Sequence, residues 1–247
     1  MRIAVVGATG TVGRHVAAAA SDRGHEVVAI SRRDGVDVLG PDLAAALAGV
    51  NVVIDTSNVM TQSRRKSIDF FTGIARRLSD ESERQGVARI VALSIVGLER
   101  ASSYGYYQGK LAQERVLRSG SVPVAILRST QFHEFPEQVM TMTTMGPLAA
   151  VPVMRTQPIA TEAVATALLE CAEDQQVRDR AIAGPQPESL TDLARDVVTK
   201  RGGARVVPLT LPWGHWRAWR NGAMLPDPGT DLLGPTFADW LASRPAR

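Results

Sequence analysis

The sequence predicts an α/β fold: a doubly wound parallel sheet over the first half of the chain and a small mixed portion after it. Three observations predict it. Short apolar, β-branched runs alternate with stretches of helical length from residue 1 to about 130. Glycines recur three residues apart at 7, 10 and 13, between the first such run and the first helix. After 130 the alternation loosens, and prolines gather at 185, 187, 208, 212, 226, 228, 235 and 245. The expected organisation is a core over 1–130 and a mixed segment over 131–247 that lies over the carboxyl ends of the strands.

The elements follow in order. The run Ile3, Ala4, Val5, Val6 stops at Gly7, as a buried parallel strand does. A helix is expected over 11–23, with Val12, Val16 and Ala19 on one face and Gly24 ending it. Residues 26–30 form the second strand. A short third strand is expected at 36–38, then a short helix over 41–47 with Pro41 in its first turn. Strand 51–56, helix 67–85, strand 89–94, helix 104–118 and strand 123–128 complete the core. Beyond it, helices are expected over 134–145, 161–173 and 190–200, with strands at 151–154 and 181–183. The sequence contains no internal repeat and no low-complexity tract.

Composition excludes several classes of protein. A hydrophobic fraction of 45% over 247 residues allows a sizeable core, and a charged fraction of 21% argues against disorder. The formal charge is only +3 and the basic residues are dispersed, which argues against a nucleic-acid partner. The densest basic run, Ser63 to Lys66, reads as a solvated helix start. Cys171, the single cysteine, lies in an apolar helical stretch, so a buried thiol in a cytoplasmic protein is expected. No apolar run approaches the roughly 20 residues needed to cross a membrane, and a strand beginning at Arg2 leaves no room for a signal peptide. No residues carry metal-ligand spacing. Only three of the 28 basic side chains are lysine, so each lysine is a rare event.

The glycine turn points to a dinucleotide. Gly7 permits the tight turn, Gly10 lets the backbone approach a phosphate, and Gly13 lets helix and strand pack together. The amides around Thr9, Thr11 and Val12 then face a pyrophosphate, with the helix dipole behind them. At the end of the second strand, where NAD enzymes usually carry an acid, stand Ser31, Arg32 and Arg33. A guanidinium holds a 2′-phosphate bidentately where a carboxylate would repel it, so NADP is expected ahead of NAD. Arg32 is the first choice for that contact, with Ser31 and Arg33 assisting; Asp34 offers a route back to NAD.

Five segments together resemble a known group: GATGTVG at 7–13, ARIVALSIVG at 88–97, YYQGKLAQE at 106–114, AILRSTQFHEF at 125–135 and RTQPIATEAVATAL at 155–168. The chain resembles an atypical short-chain dehydrogenase/reductase of the NmrA-like NAD(P)-binding group. That resemblance implies a Rossmann-type core with a small C-terminal substrate-covering portion. It also implies an adenine contact at Asp37 and Val38, although the acid usual a few residues later is replaced within Leu39, Gly40 and Pro41.

Chemistry in this superfamily needs an acid that protonates a carbonyl oxygen as hydride arrives. Tyr106 and Lys110 stand four apart on one helix face. A nearby ammonium favours the phenolate, and Lys110 would also bond the nicotinamide ribose. Ser94, twelve residues before Tyr106, would orient the substrate oxygen, giving a Ser–Tyr–Lys set in the superfamily's order. Tyr107 is the rival acid, and an amphipathic helix with packed tyrosines is the plain alternative. Ser57 and Asn58 are expected beside the ribose, and Ser129 and Thr130 near the nicotinamide. Gln131, Phe132 and His133, with Glu134, would face the substrate, although His133 and Glu134 also suit a helix start. Trp213, Trp216 and Trp219, at intervals of three, suit either a packed helix or an entrance for a flat aromatic or polyketide-like substrate.

The leading expectation is an NADP(H)-dependent reductase of a carbonyl or activated double bond in a small organic molecule. The alternatives are an NADP-sensing regulatory protein without turnover, or a redox-neutral isomerase that keeps its cofactor. Helices 67–85 and 104–118 could pair between the subunits of a homodimer.

Overall fold

The computed structural model describes residues 1–245, so the last two positions of the expected 131–247 segment lie outside the described residues. In chain order the elements are β1 (Arg2–Val6), α1 (Gly13–Asp22), β2 (Glu26–Ile30), α2 (Leu43–Leu47), β3 (Val52–Asp55), α3 (Arg64–Arg84), β4 (Arg89–Ile95), α4 (Gly105–Arg118) and β5 (Val124–Ser129). They continue as α5 (Phe135–Thr143), β6 (Thr144–Met145), β7 (Leu148–Pro152), β8 (Arg155–Thr156), α6 (Thr161–Glu173), β9 (Arg180–Ala183) and β10 (Glu188–Ser189). The last are α7 (Leu190–Arg201), β11 (Arg205–Leu209), α8 (Gly214–Arg220), β12 (Asp231–Leu232) and α9 (Phe237–Ser243).

The elements form two compact units that interleave along the chain. Met1–Ile95, Tyr104–Arg128 and Thr161–Arg180 make the first unit. Val96–Ser103, Ser129–Ala160 and the described part of 181–247 make the second. The chain therefore passes between units several times, where one boundary at 130 was expected. In the first unit α6 packs beside α1, with His15 Nε2 3.8 Å from Glu162 Oε1.

The first unit is a doubly wound sheet. Its strand order is β5-β4-β3-β1-β2, and β1 pairs in parallel with both β2 and β3, as β3 does with β4. The chain steps one way from β1 to β2, then returns past β1 to build β3, β4 and β5. Alternation along β1 explains the helices on both faces. Ala4 and Val6 join a cluster with Leu43, Leu47, Ile74, Leu78, Leu117 and Ile126. Ile3 and Val5 point the other way and are equally buried, so α1 and α6 cover that face with Val16, Ala20, Val164 and Leu168. Burying each large aliphatic side chain contributes about 1.5–3 kcal/mol.

Residues 36–38 are not a strand, contrary to expectation. Val36 N donates to Ser31 O at 3.1 Å, and Asp37 accepts from Leu39 N at 3.0 Å and from Gly40 N at 2.9 Å, so the segment closes into local turns. β3 likewise stops at Asp55, whose Oδ1 accepts from Ser57 N at 2.8 Å. Helix α3 starts earlier than expected because the Ser63 side chain caps it through Lys66 N. Helix α1 starts later, at Gly13, because the glycine turn occupies 7–12.

The second unit holds a three-stranded sheet in the order β11-β7-β6 and an antiparallel β8–β10 pair. It also holds a parallel pair of β12 with the end of β9. Pro208, which has no N–H to donate, sits on the edge strand β11. Among the described residues no helix is long and apolar enough to cross a membrane.

Candidate active site

The site in the first unit grows from the carboxyl ends of β1, β2 and β3. Val6 lies opposite Asp55, so Gly7 and Thr56 leave their strands side by side. Gly7 has φ +76°, a conformation that favours glycine. Gly10 N donates to Gly7 O at 2.8 Å and closes the turn. A Cβ on Gly13 would collide with the Gly7 carbonyl oxygen and lie 2.7 Å from Thr56 Oγ1. The close start of α1 therefore demands glycine at 13. Thr56 Oγ1 donates to Val6 O at 2.7 Å and seals the floor. Helix α1 opens with no side-chain cap and no acid in its first turn. Its first amides and positive dipole end are thus left for an anion, and this cradle fits a dinucleotide pyrophosphate.

After β2, Ser31 is not a free helper. Its hydroxyl donates to Asp34 Oδ2 at 2.6 Å and accepts from Asp34 N at 3.2 Å, capping a short 3-10 turn over Arg32–Asp34. This pulls the Asp34 carboxylate into the turn. The Arg32 and Arg33 side chains are exposed, and among the described residues neither guanidinium has an ion-pair partner. Val38 is buried.

Beyond β3, Ser57 Oγ is a buried hydroxyl without a hydrogen-bond partner among the described residues, as expected of a group left for a ligand. Asn58 follows it, and its Oδ1 accepts the Tyr106 hydroxyl at 2.7 Å. Tyr106 sits in the first turn of α4, edge-on to Phe71 at 5.6 Å. Burial pushes its phenol well above the usual range, and neighbouring Tyr104 adds to the effect. Tyr107 is buried, edge-on to Tyr104 at 4.9 Å.

Lys110 is 4% exposed, and its ammonium is turned inward. It donates to Leu93 O at 2.7 Å and to Gln113 Oε1, and lies 4.7 Å from the centre of the Phe71 ring. Gln113 Nε2 in turn donates to Asp55 Oδ2 at 2.7 Å. Burial pulls Lys110 down to about 8, while Asp55 and Glu114 act in the opposite direction. Ser94 is also turned inward. Its hydroxyl donates to Glu114 Oε1 at 2.5 Å, and Arg128 grips both oxygens of the same carboxylate at 3.0 and 2.7 Å. Arg118 completes the cluster at 3.0 Å. Burial pushes Glu114 up, but Arg128, Ser94 and Arg118 outweigh it and hold the carboxyl below its ordinary range. Ser94 on β4 and Tyr106 and Lys110 on α4 thus have separate hydrogen-bond partners, Glu114 for the serine, Asn58 for the tyrosine, and Leu93 O with Gln113 for the lysine.

The remaining candidates lie in the second unit. Thr130 is buried and its hydroxyl donates to Gln157 O at 2.6 Å. Gln131 Oε1 accepts from Thr156 Oγ1 at 2.7 Å, and Phe132 bridges in parallel to Ile159. His133 is wholly buried, with Nε2 3.2 Å from Pro235 O and its ring against Phe237 and Trp240. The structure thus makes Gln131 and His133 packed interior groups, because the flanking strand and α9 close over them. Glu134 is the N-cap position of α5. Trp213 is exposed ahead of α8, whereas Trp219 is buried with His215 and Trp216 against it. Cys171 is buried, and burial pushes its thiol up. Among the described residues no group of acids, histidines and cysteine could hold a metal ion.

Residues 35–175 match a family model described as NAD(P)H-binding. The chain belongs to the NAD(P)H-binding family. The photosystem II assembly factor Ycf39 of Cyanophora paradoxa is 25% identical over 149 residues. That alignment covers 54% of this chain and 46% of the relative, so the chain matches about half the length of that protein. In fold the chain is similar to MoeE5 in complex with UDP-glucose and NAD, with TM-score 0.72 and 16% identity, covering 98% of each chain. A short-chain dehydrogenase/reductase superfamily protein from Agrobacterium tumefaciens with bound NAD gives TM-score 0.65 and 18% identity, covering 85% of each chain. A dTDP-4-dehydrorhamnose reductase from Clostridium acetobutylicum gives 0.69 and 15%, covering 94% of this chain and 95% of that one. These likenesses make the fold that of the short-chain dehydrogenase/reductases. The family match starts after the glycine turn, so the turn stands on its own geometry.

Sequence reasoning missed Thr56, Asp55, Gln113 and Glu114 as parts of this site. Glu114 and Gln113 lie on the helix of Lys110 at i+4 and i+3, a spacing that could have flagged them. Asp55 and Thr56 carried no signal beyond their position at a strand end.

Proposed function

We propose that this protein is an NADP(H)-dependent oxidoreductase that reduces a carbonyl or activated double bond of a small organic molecule in the cytoplasm. The observation that carries this reading is the Tyr106 hydroxyl, held by Asn58 at the carboxyl end of β3, next to the glycine turn that follows β1. Gly7, Gly10 and Gly13 let the amides of Thr9, Thr11 and Val12 bind the pyrophosphate. Arg32 and Arg33, free of ion-pair partners among the described residues, bind the 2′-phosphate. Asp37 and Val38 line the adenine side, and Ser57 and Asn58 serve the nicotinamide ribose end. The cofactor supplies a hydride when bound. Tyr106 gives its hydroxyl proton to the substrate oxygen. The exposed ring of Trp213 suits a flat aromatic or polyketide-like substrate. A homodimer formed through α3 and α4 belongs to the same proposal.

Calorimetric titration with NADPH and NADH tests the cofactor assignment. The expected result is tighter NADPH binding, and Arg32→Glu should weaken NADPH by about tenfold or more while sparing NADH. Equal affinities would overturn the role of Arg32. A second reading draws on the inward hydrogen bonds of Ser94 and Lys110: a cofactor-sensing protein without turnover. Tight NADPH binding with no NADPH consumption across a panel of carbonyls and quinones would select it.

A further inference from the structure

The Tyr106 phenol donates a hydrogen bond to the Asn58 side chain at 2.7 Å. The same Oδ1 accepts from Val59 N at 2.8 Å. A backbone amide only donates, so this second bond identifies the atom facing Tyr106 as the carboxamide oxygen. The Tyr106 hydroxyl must therefore donate to it and keep its proton. Ser67 Oγ, from α3, anchors the other end of the residue by donating to Tyr106 O at 3.1 Å. Ser94 takes no part in this arrangement, since its hydroxyl is engaged with Glu114 and only 2% of the residue is exposed.

We propose that Asn58 is the positioning residue of Tyr106, while Ser94, expected to orient the substrate oxygen, is engaged with Glu114. Asn58 orients the hydroxyl and holds it protonated; Ser94 instead ties β4 to α4 through Glu114. Burial of the ring raises the phenol first and Tyr104 adds to it; a hydrogen bond donated by the neutral phenol favours the protonated form in the same direction. The surroundings supply little opposition. Tyr104 and Tyr107 approach from the same segment, and Phe71 and Ser67 from α3. The charged groups of the adjoining elements, Lys110 on α4 and Asp55 on β3, are bound to Leu93 O, Gln113 and Ser57 N.

The importance of this contact for catalysis rests on Tyr106 being the proton donor, so its test must not depend on turnover. The Tyr106 ionisation is read as the difference in phenolate absorbance between each protein and its Tyr106→Phe counterpart, across alkaline pH. Asn58→Ala is expected to lower the pH at which Tyr106 ionises by about one unit or more, a tenfold change in its ionisation constant. Asn58→Asp keeps an acceptor of the same length and should leave Tyr106 protonated to at least the pH seen in the parent protein. Ser94→Ala should leave the titration in place while lowering the melting temperature. Identical Tyr106 titrations in the parent and Asn58→Ala proteins would overturn the proposal, as would a Ser94→Ala shift as large as that of Asn58→Ala. A failed search for turnover would remove the reductase reading and leave this titration to stand by itself.

Discussion

At the scale of single residues, the tightest constraint is Gly13, whose missing Cβ lets α1 begin against the Gly7 carbonyl and Thr56. Gly73 provides the contrast. It lies inside α3, and a Cβ there would find only Leu39 at 3.9 Å. Gly13→Ala should therefore cost about 1–3 kcal/mol through overpacking and weaken NADPH binding. Gly73→Ala should stabilise the protein by about 0.5–1 kcal/mol and leave binding alone. Denaturant melts of both variants, with NADPH titrations, check the pair; a harmless Gly13→Ala would remove the packing argument. The glycine spacing was legible in the sequence because a strand-to-helix turn needs glycine at fixed intervals. The direction of Ser94 was not, because its partner Glu114 lies twenty residues on and only folding brings them together.

At the scale of elements, Glu114 ties α4 to its neighbours. It receives Ser94 from β4, Arg128 from β5 and Arg118 from α4 itself, while Arg118 also reaches Asp179 at 2.5 Å. Glu114 is 3% exposed, so losing its charge weakens the bonds it accepts from Arg128, Arg118 and Ser94. Glu114→Gln should lower stability by about 1–3 kcal/mol near neutral pH. Its carboxyl is held below the ordinary 4.5 in the folded protein, so the folded state binds the proton less well than the unfolded one. The stabilisation is present above that value and is lost as pH falls through the folded-state value. The gap between parent and Glu114→Gln should thus close on acidification, read from thermal melts at a series of pH values. A gap that widened in acid would contradict the assignment. Element boundaries followed the sequence where periodicity ruled, as in α6 at Thr161–Glu173. They departed from it where a side chain captured the backbone, as Asp37 and Ser63 do.

At the scale of the whole molecule, the two units interleave because α6 covers the α1 face of the first sheet, although residues 129–160 of the second unit precede it in the chain. A cofactor that binds only the folded protein must stabilise it. NADPH at a hundred times its dissociation constant should contribute about 2.7 kcal/mol. For a chain of this length that corresponds to a rise of roughly 5–10 °C in the melting temperature. The same concentration should raise the melting temperature of Arg32→Glu by distinctly less. A shift unchanged by that substitution would locate the 2′-phosphate elsewhere.

The sequence by itself determined the alternation of strand and helix, the glycine cradle and the pair of arginines after β2. Each is a local property, carried by period, backbone freedom or charge. Only the tertiary structure decided which hydroxyl Tyr106 would lack and which acceptor it would have. It also turned Ser94 and Lys110 inward and made His133 a core residue. The physical reason is that a polar side chain entering the interior must find a partner, and that partner is fixed by packing between distant segments, which spacing along the chain does not encode.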